Sequence, residues 1–527
     1  MSTHDSVCFL LSFEDTPDVL CTRLSEYVDC VIEPSVSTSY CYLDSFDWRL
    51  HQSGLMLLQL DTHVELQEKK SGQVLHTAAI NKTPVWATDL PAGGARDQLS
   101  KILEMRALMP VVCVDTRSTT LAIRDEDGKT VVRLRIDNNK CHAPNVRGHS
   151  ILSPHATLLP LKGYGKEMLE LEKILLEEFD LTKAPVASQY AEALAAIGRK
   201  PGDYTSKLSF RLKPGMTTGH AMHMIFLHLL NTIKANIEGT REDIDSEFLH
   251  DLRVATRRTR SALTQVKKVL PPKVLEDYKN RFAWVGQITG PTRDMDVFQL
   301  DYDNFRASLP PQMRGHLEPL HEFIEEHHHS EQKLLKRRLN SAQFRKLIEE
   351  WEDYLKTEPE TGEEMPNSSR AVLDVSRERI WKMYRLVLKE GRAITYDSPP
   401  EDMHELRKSC KKLRYLMEFF SSLYPAAKIE SQIKVLKVLL NNLGDFQDYE
   451  VQAAKLMSVG EQMKKEGKAP TQTVMAMGVL VANLLSRQEQ AHKDFSSCFA
   501  GFDTPQNHSL NRELFKPATN PEKEEKA

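Results

Sequence analysis

The pattern of apolar and polar positions changes about 200 residues into the chain. Before that point, short apolar runs between turn residues predict β-strands, with helices at about 16–30, 95–108 and 164–179. The predicted strands are a run that begins at Tyr40, a second run after Gly54, and 7–13, 63–69, 111–117, 119–124 and 131–136. The segment Asp125-Glu-Asp-Gly-Lys129 joins the last two strands and predicts a hairpin.

After the breakers between 198 and 219, apolar positions recur with helical spacing. The predicted helices are 216–238, 247–269, 274–289, 294–307, a long helix or a pair over 312–356, 369–393, 401–422, 428–443, 449–466 and 471–499. We therefore expect an α+β multidomain chain. Its predicted parts are a β domain over 1–200, a linker over 201–215, an all-α domain over 216–500 and a disordered tail over 503–527.

The predicted helix 247–269 carries a row of basic side chains. On a helical wheel its members fall within about 80° of one another. They are His250, Arg253, Arg257 and Arg260. Arg258 lies to one side of this stripe. The same helix has an apolar or small flank, which is typical of a helix that packs on a core.

The pattern occurs again 154 residues further along the chain, as His404, Arg407, Lys411, Lys412 and Arg414, with Lys412 at the position of Arg258. A second landmark keeps that offset. The predicted turn Gly290-Pro-Thr-Arg-Asp294 corresponds to Gly444-Asp-Phe-Gln-Asp448. Two landmarks at one offset indicate an internal duplication. We expect two pseudo-symmetric four-helix bundles, repeat 1 over about 216–356 and repeat 2 over about 369–500.

A third stripe with the same spacing precedes the second copy and consists of Lys382, Arg385, Lys389 and Arg392. Cations three or four residues apart on a helix are separated by about 4.5 to 6 Å along its axis. Such spacing suits a linear polyanion that carries no bases for side chains to recognise. If the three stripes converge, they make a basic groove or pore.

Sequence composition bears on the cellular compartment in which the protein is expected to reside. The 527 residues carry a net charge of −4, and no run approaches the roughly 18 to 20 apolar residues of a membrane helix. The N-terminal residues lack the features of a signal peptide. We therefore predict a cytoplasmic protein without membrane association. The eight cysteines lack zinc-binding spacing, which predicts free buried thiols.

These motifs give the helical half a resemblance to the CHAD domain, the conserved-histidine α-helical domain. The resemblance implies binding of inorganic polyphosphate and association with polyphosphate granules, where granule proteins are further candidate partners. The binding residues implied by this match and by the stripes are His250, Arg253, Arg257, Arg258, Arg260, Arg293, Lys382, Arg385, Lys389, Arg392, His404, Arg407, Lys408, Lys411, Lys412 and Arg414. No catalytic residue, metal or cofactor is predicted.

The N-terminal half resembles the CYTH domain, an antiparallel β-barrel whose tunnel holds triphosphate and divalent metal in the family's enzymes. The matching features are Tyr42-Leu-Asp-Ser-Phe-Asp-Trp-Arg-Leu50 with the Gly54 turn, and Arg117 before a hairpin. The family's Glu-x-Glu-x-Lys signature is replaced by Ser6-Val-Cys-Phe-Leu10. Because metal-holding carboxylates are missing, we predict a degenerate, non-catalytic relative.

Other interpretations stay open at this level. The β domain is either purely structural or keeps a weak anion site, and the alternative function is triphosphatase or polyphosphate hydrolase activity in its tunnel. The stripes are either binding sites or solvated faces paired with acids. Nucleic acid is disfavoured because few aromatic residues accompany the cations. His327-His-His329 is the better metal candidate among the helical histidines, but it is expected to be a solvated face.

Overall fold

The chain forms two compact units, Met1–Thr205 (unit 1) and Ser206–Ala527 (unit 2), in a computed structural model. The structure describes residues 7–185, 187–208 and 210–517. Strands are confined to the first unit, and the described part of the second is helical. The predicted order of an antiparallel sheet domain followed by a helical domain is confirmed.

Unit 1 is built on one antiparallel sheet. Its strands are β1 (Val7–Leu10), β2 (Asp29–Ile32), β3 (Val36–Asp44), β4 (Leu55–Gln59), β5 (His63–Glu68), β6 (Val74–Ala79), β7 (Met109–Arg124), β8 (Thr130–His142), β9 (Ser150–Ile151), β10 (His155–Pro160) and β11 (Thr182–Lys183). Its helices are α1 (Pro17–Leu24), α2 (Arg49–Gln52), α3 (Gly94–Leu103), α4 (Gly165–Glu177) and α5 (Ser188–Ala196). A 3₁₀ turn lies at Ala87–Asp89.

The strand order is β11-β1-β10-β8-β7-β3-β4-β5-β6, with β2 on β7 and β9 on β8. The predicted closed barrel is not observed, because β6 and β11 do not pair in the described part of the chain. At the β6 end, Leu99 and Leu103 of α3 share a core with Leu66 and Ala78. Helix α3 therefore packs on a face of the sheet near β6.

Two of the predicted strands form a single strand in the structure. The segments 111–117 and 119–124 belong to β7, which pairs with β8 through the predicted hairpin. Ser118 does not interrupt β7, because it pairs with Asp137 and its hydroxyl donates a 2.6 Å hydrogen bond to that carboxylate. The predicted helix 16–30 is shorter than expected and gives way to β2.

A disulfide joins Cys41 of β3 to Cys113 of β7. The prediction of free thiols is wrong for this pair. The two cysteines are 72 residues apart in sequence, but the strand register places them directly opposite each other. Among the described cysteines, Cys141 and Cys410 are free and buried as predicted, and the other free thiols are partly exposed.

Unit 2 contains α6 (Thr218–Arg241), α7 (Ser246–Gln265), α8 (Pro272–Ile288), α9 (Gly290–Ser308), α10 (Glu318–Leu339), α11 (Ala342–Lys356), α12 (Val372–Ala393), α13 (Pro400–Phe419), α14 (Ala426–Lys465), α15 (Thr471–Phe502) and α16 (Pro505–Phe515). Three pairs of these helices begin 154 residues apart: α6 with α12, α7 with α13 and α8 with α14. The duplication seen in the sequence is therefore also a repeat of helix positions.

The two repeats face each other across an approximate two-fold axis. Thr218 N donates to Arg370 O at 2.8 Å, and Val372 N donates to Met216 O at 2.9 Å. Adding 154 to Met216 and Thr218 gives Arg370 and Val372, so each bond is the image of the other. Thr217 and Ala371 lie between them as an antiparallel bridge. Reciprocal contacts of this kind are the signature of a two-fold relation.

The repeats do not bury separate cores. The larger helical core combines Leu252 of α7 and Trp351 of α11 with Leu406 of α13. A second core combines Phe298 of α9 with Leu456 of α14 and Leu480 of α15. Because both cores draw on both repeats, the helical domain is stabilised as one body.

Two details of the helical half differ from prediction. The segment 444–448 is not a turn, because α14 continues through it. The predicted turn 290–294 of the first copy is helical too, since α9 begins at Gly290. There α8 and α9 remain separate helices, and Pro291 lacks a backbone N–H. The predicted disordered tail is wrong for α16, since Leu514 and Phe515 join the larger core. Residues 518–527 lie outside the described residues.

Candidate functional site

The basic helix α7 is fixed at its N-terminus. The Asp245 side chain caps it by accepting hydrogen bonds from the backbone N–H groups of Glu247 at 2.9 Å and Phe248 at 3.2 Å. Phe248 packs against Gly239 of α6, where a methyl group would come within 2.2 Å of the ring. The cap and this close approach set the orientation of the stripe.

The two stripes meet at equivalent positions. Arg257 of α7 and Lys411 of α13 are 154 residues apart, and the two helices pack against each other. The pKa of Lys411 is lowered to about 8 by burial first, and then by the positive charges of Arg407 and Arg257. Because α7 packs on α13 and Arg257 is close enough to lower the pKa of Lys411, the two stripes adjoin each other. We call Arg253, Arg257, Arg260, Arg407, Lys411 and Arg414 the basic seam.

Arg253 is the most constrained arginine of the first stripe. Its Nη1 donates to Gly286 O at 3.2 Å and to Thr289 Oγ1 at 2.8 Å. Burial first, and then the neighbouring charge of Arg257, lower the pKa of Arg253 to about 10. Both bonds go to neutral acceptors, so they hold the guanidinium in place without cancelling its charge.

Glycines lie beneath the arginines in both repeats. A methyl group on Gly290 would be 3.8 Å from Arg253 Nη1, and one on Gly444 would be 3.7 Å from Arg407 Nη2. The landmark glycines of the sequence therefore lie beside equivalent guanidinium groups in the two repeats, at distances that a methyl group would also tolerate. On the α7 side, Arg253, Arg257 and Arg260 line a cavity of about 290 Å³.

The second stripe is partly neutralised. Arg407 donates to Gln447 and, at 3.0 Å, to Asp448. Arg414 lies 3.3 Å from Glu418. Of the remaining basic residues, Lys408 is paired with Glu405 at 2.6 Å, and Lys412 is partly exposed.

Arg258 holds the two repeats together. Its Nη2 donates to Glu418 of α13 at 3.2 Å and its Nη1 to Ser206 O at 2.9 Å. Only 14% of its side chain is exposed. Arg258, which the sequence places to one side of the stripe, therefore connects α7 to α13.

Each of the two repeat histidines lies against a later helix, α9 in the first repeat and α14 in the second. Arg293 Nη2 donates to His250 Nδ1 at 3.1 Å. In the second repeat, His404 Nε2 lies 2.9 Å from a carboxylate oxygen of Glu450. Both histidines therefore sit at the end of the basic seam, within a polar network rather than in a core.

His328 belongs to the polar network beside the basic helix, which the sequence did not predict. The predicted solvated face is wrong at this position, because His328 is 13% exposed and bonded to Asp296 Oδ1 at 2.9 Å. That bond raises the pKa of His328. Asp296 also lies 3.6 Å from Arg293, which contacts His250. A chain of polar contacts thus runs from α10 to the basic helix.

The third stripe lies elsewhere. Lys382, Arg385 and Lys389 are exposed on α12. Arg392 is paired with Asp503 at 2.7 and 2.8 Å. The charges that act most strongly on Lys411 and Arg253 come from α7, α9, α13 and α14. The structure therefore brings two of the three predicted stripes together.

Unit 1 encloses a separate cavity of about 850 Å³ between its strands. The charged residues that line it are Glu65, Arg135 and Asp137. Asp137 accepts from Arg135 Nε at 3.0 Å and from the Ser118 hydroxyl at 2.6 Å. The carboxylate is thus already engaged with protein partners.

The fold and the basic seam define unit 2 as a duplicated helical domain. Residues 224–457 match the family model of the CHAD domain. The CYTH likeness of unit 1 stays a prediction. Across the described residues, no helix has the length and apolar character needed to cross a membrane.

Two solved structures are similar to the helical half. The crystal structure of the CHAD domain from the plant Ricinus communis matches with 23% identity and a TM-score of 0.48, covering 56% of this chain and 94% of that chain. PptA from Streptomyces chartreusis matches with 15% identity and a TM-score of 0.43, covering 54% of this chain and 100% of that chain. A comparison with curated proteins gave no match.

Proposed function

We propose that the chain binds inorganic polyphosphate through the basic seam, without catalysis, and docks on polyphosphate granules. The observation that carries the proposal is the packing of α7 against α13, which brings Arg257 close enough to Lys411 for its charge to lower the pKa of that lysine. The match to the family model of the CHAD domain supports the same ligand.

The electrostatics of the basic seam favour a polyanion. Lys411 and Arg253 have lowered pKa values because burial and neighbouring cations disfavour their charged forms. A bound anion relieves that repulsion. Because the cations follow two helices rather than converging on one point, a linear chain of phosphates satisfies more of them than a single phosphate group does.

Affinity is expected to rise with the length of the polyphosphate. A long chain reaches both stripes of the basic seam, whereas a triphosphate reaches only part of one. The measurement is a titration of the full chain with polyphosphates of defined length. Equal affinity for triphosphate and long polymer would contradict the proposal.

Affinity for long polyphosphate should weaken as the pH rises through about 8, the pKa of Lys411. Below this pH the ammonium is charged before the ligand arrives. Above it, binding must draw a proton onto the amine, so the free energy of binding becomes less favourable. Titrations between about pH 7 and about pH 9 test this expectation. Lys411→Arg keeps its charge and should flatten the profile, so a wild-type profile equally flat would argue against the role of Lys411.

Hydrolysis of triphosphate in unit 1 is a second candidate because its cavity contains Arg135 and Asp137. The missing carboxylate signature counts against it. Phosphate release from triphosphate with Mg²⁺ or Mn²⁺ distinguishes the two functions, and we expect none above background. Competition between RNA and polyphosphate for the basic seam tests the nucleic-acid alternative.

A further inference from the structure

Three side chains with metal-ligand chemistry meet on unit 1. Asp115 of β7, His142 at the end of β8 and His149 before β9 each offer one ligand atom, and these atoms lie within 4.8 Å of one another. The two imidazole rings have centroids 5.2 Å apart and are nearly perpendicular. The cluster contains two nitrogen donors and one carboxylate.

The sheet holds this cluster outside the cavity of unit 1. Ser39 and Asp115 are direct cross-strand partners on β3 and β7. Their neighbours in sequence, Tyr40 and Thr116, line the cavity. Because side chains alternate between the faces of a strand, the cluster lies on the opposite face. It is therefore distinct from a site in that cavity.

Hydrogen bonds orient two of the three ligands. His142 Nδ1 lies 3.1 Å from the carbonyl oxygen of Ala143. A carbonyl only accepts, so Nδ1 carries the proton and Nε2 keeps a lone pair for a metal. Ser39 donates to Asp115 Oδ1 at 2.6 Å, while Asp115 Oδ2 lies 3.7 Å from His149 Nδ1. These supporting bonds are the kind that orient metal ligands in proteins.

We propose that Asp115, His142 and His149 bind a divalent transition-metal ion, with Zn²⁺ as the best match. Two imidazoles and one carboxylate suit zinc and its neighbours, whereas Mg²⁺ and Ca²⁺ prefer oxygen ligands. The side chains of Asp115 and His149 are 44% and 52% exposed, which leaves the fourth position open to water. Lys140 is the cross-strand partner of Asp115 but is exposed, so its amine has room to move away from the ion.

Calorimetric titration of the full chain with Zn²⁺ tests the proposal. We expect one saturable site that His142→Ala or His149→Ala weakens by more than about tenfold, and that Ser39→Ala weakens by about tenfold. His63→Ala is the matched control. His63 lies 3.4 Å from Glu65 on the same unit and forms a pair with one carboxylate. Its replacement should leave the affinity unchanged.

Thermal unfolding separates a lost ligand from a lost fold. Without metal, His142→Ala should unfold at the wild-type temperature, and Zn²⁺ should raise that temperature for the wild type but not for the variant. Unchanged Zn²⁺ affinity in both His142→Ala and His149→Ala would overturn the proposal. Because these measurements involve no polyphosphate, their outcome is independent of the function proposed for unit 2.

Discussion

Replacing Arg257 and Lys411 together by glutamate is expected to weaken binding of long polyphosphate by about a hundredfold or more. Both residues lie where the stripes of α7 and α13 meet. The double change removes two cations and adds two repelling charges at the centre of the basic seam. The measurement is a titration with one defined chain length at fixed salt, accompanied by thermal unfolding to confirm the fold.

A charge-matched control is available on α12. Lys382 and Lys389 are exposed and belong to the third stripe of the sequence. Their joint replacement by glutamate makes the same change in net charge away from the basic seam. We expect a loss of no more than about threefold, through the weaker long-range field. A loss as large as that of the central pair would show that α12 is part of the binding surface.

Gly239→Ala is expected to lower the free energy of unfolding by about 1 to 3 kcal/mol. A methyl group there would lie 2.2 Å from the ring of Phe248, which anchors the first turn of α7. The ring and the start of the basic helix must shift to make room. Thermal or denaturant unfolding gives the stability change, and a polyphosphate titration shows whether the displaced helix also binds less well.

Gly478→Ala is the matched control for this effect. Gly478 is exposed in α15, and a methyl group there meets no atom within 4 Å. Alanine in an open helical position is expected to stabilise by about 0.5 to 1 kcal/mol, because glycine loses more backbone entropy on folding. Equal effects of the two substitutions would contradict the importance of the contact with Phe248.

The sequence was most informative about the duplication. The offset between His250 and His404 also separates the starts of three pairs of helices. The same offset also relates Arg257 to Lys411, which lie on the two helices that pack together between the repeats. Apolar periodicity and internal repeats can be recognised within short stretches of sequence, and a duplicated segment keeps the same spacing in both copies.

Contacts between distant segments could not be predicted in the same way. The Cys41–Cys113 disulfide depends on strand register, and the bond of His328 to Asp296 depends on how α10 packs. The exposed stripe of α12 has the same spacing as the stripe of α7. Spacing alone does not say towards which neighbour a helical face is turned.

The salt dependence of polyphosphate binding tests the central claim most directly. For a flexible single chain, the logarithm of the affinity falls with the logarithm of salt concentration by about 0.7 for each phosphate contact. Six cations in the basic seam therefore predict a slope of about −4 for the wild type. Loss of Arg257 and Lys411 should make this slope shallower, reducing its magnitude by more than about 1.4. Equal slopes for the wild type and the Arg257→Glu/Lys411→Glu variant would contradict binding at the junction of the two repeats.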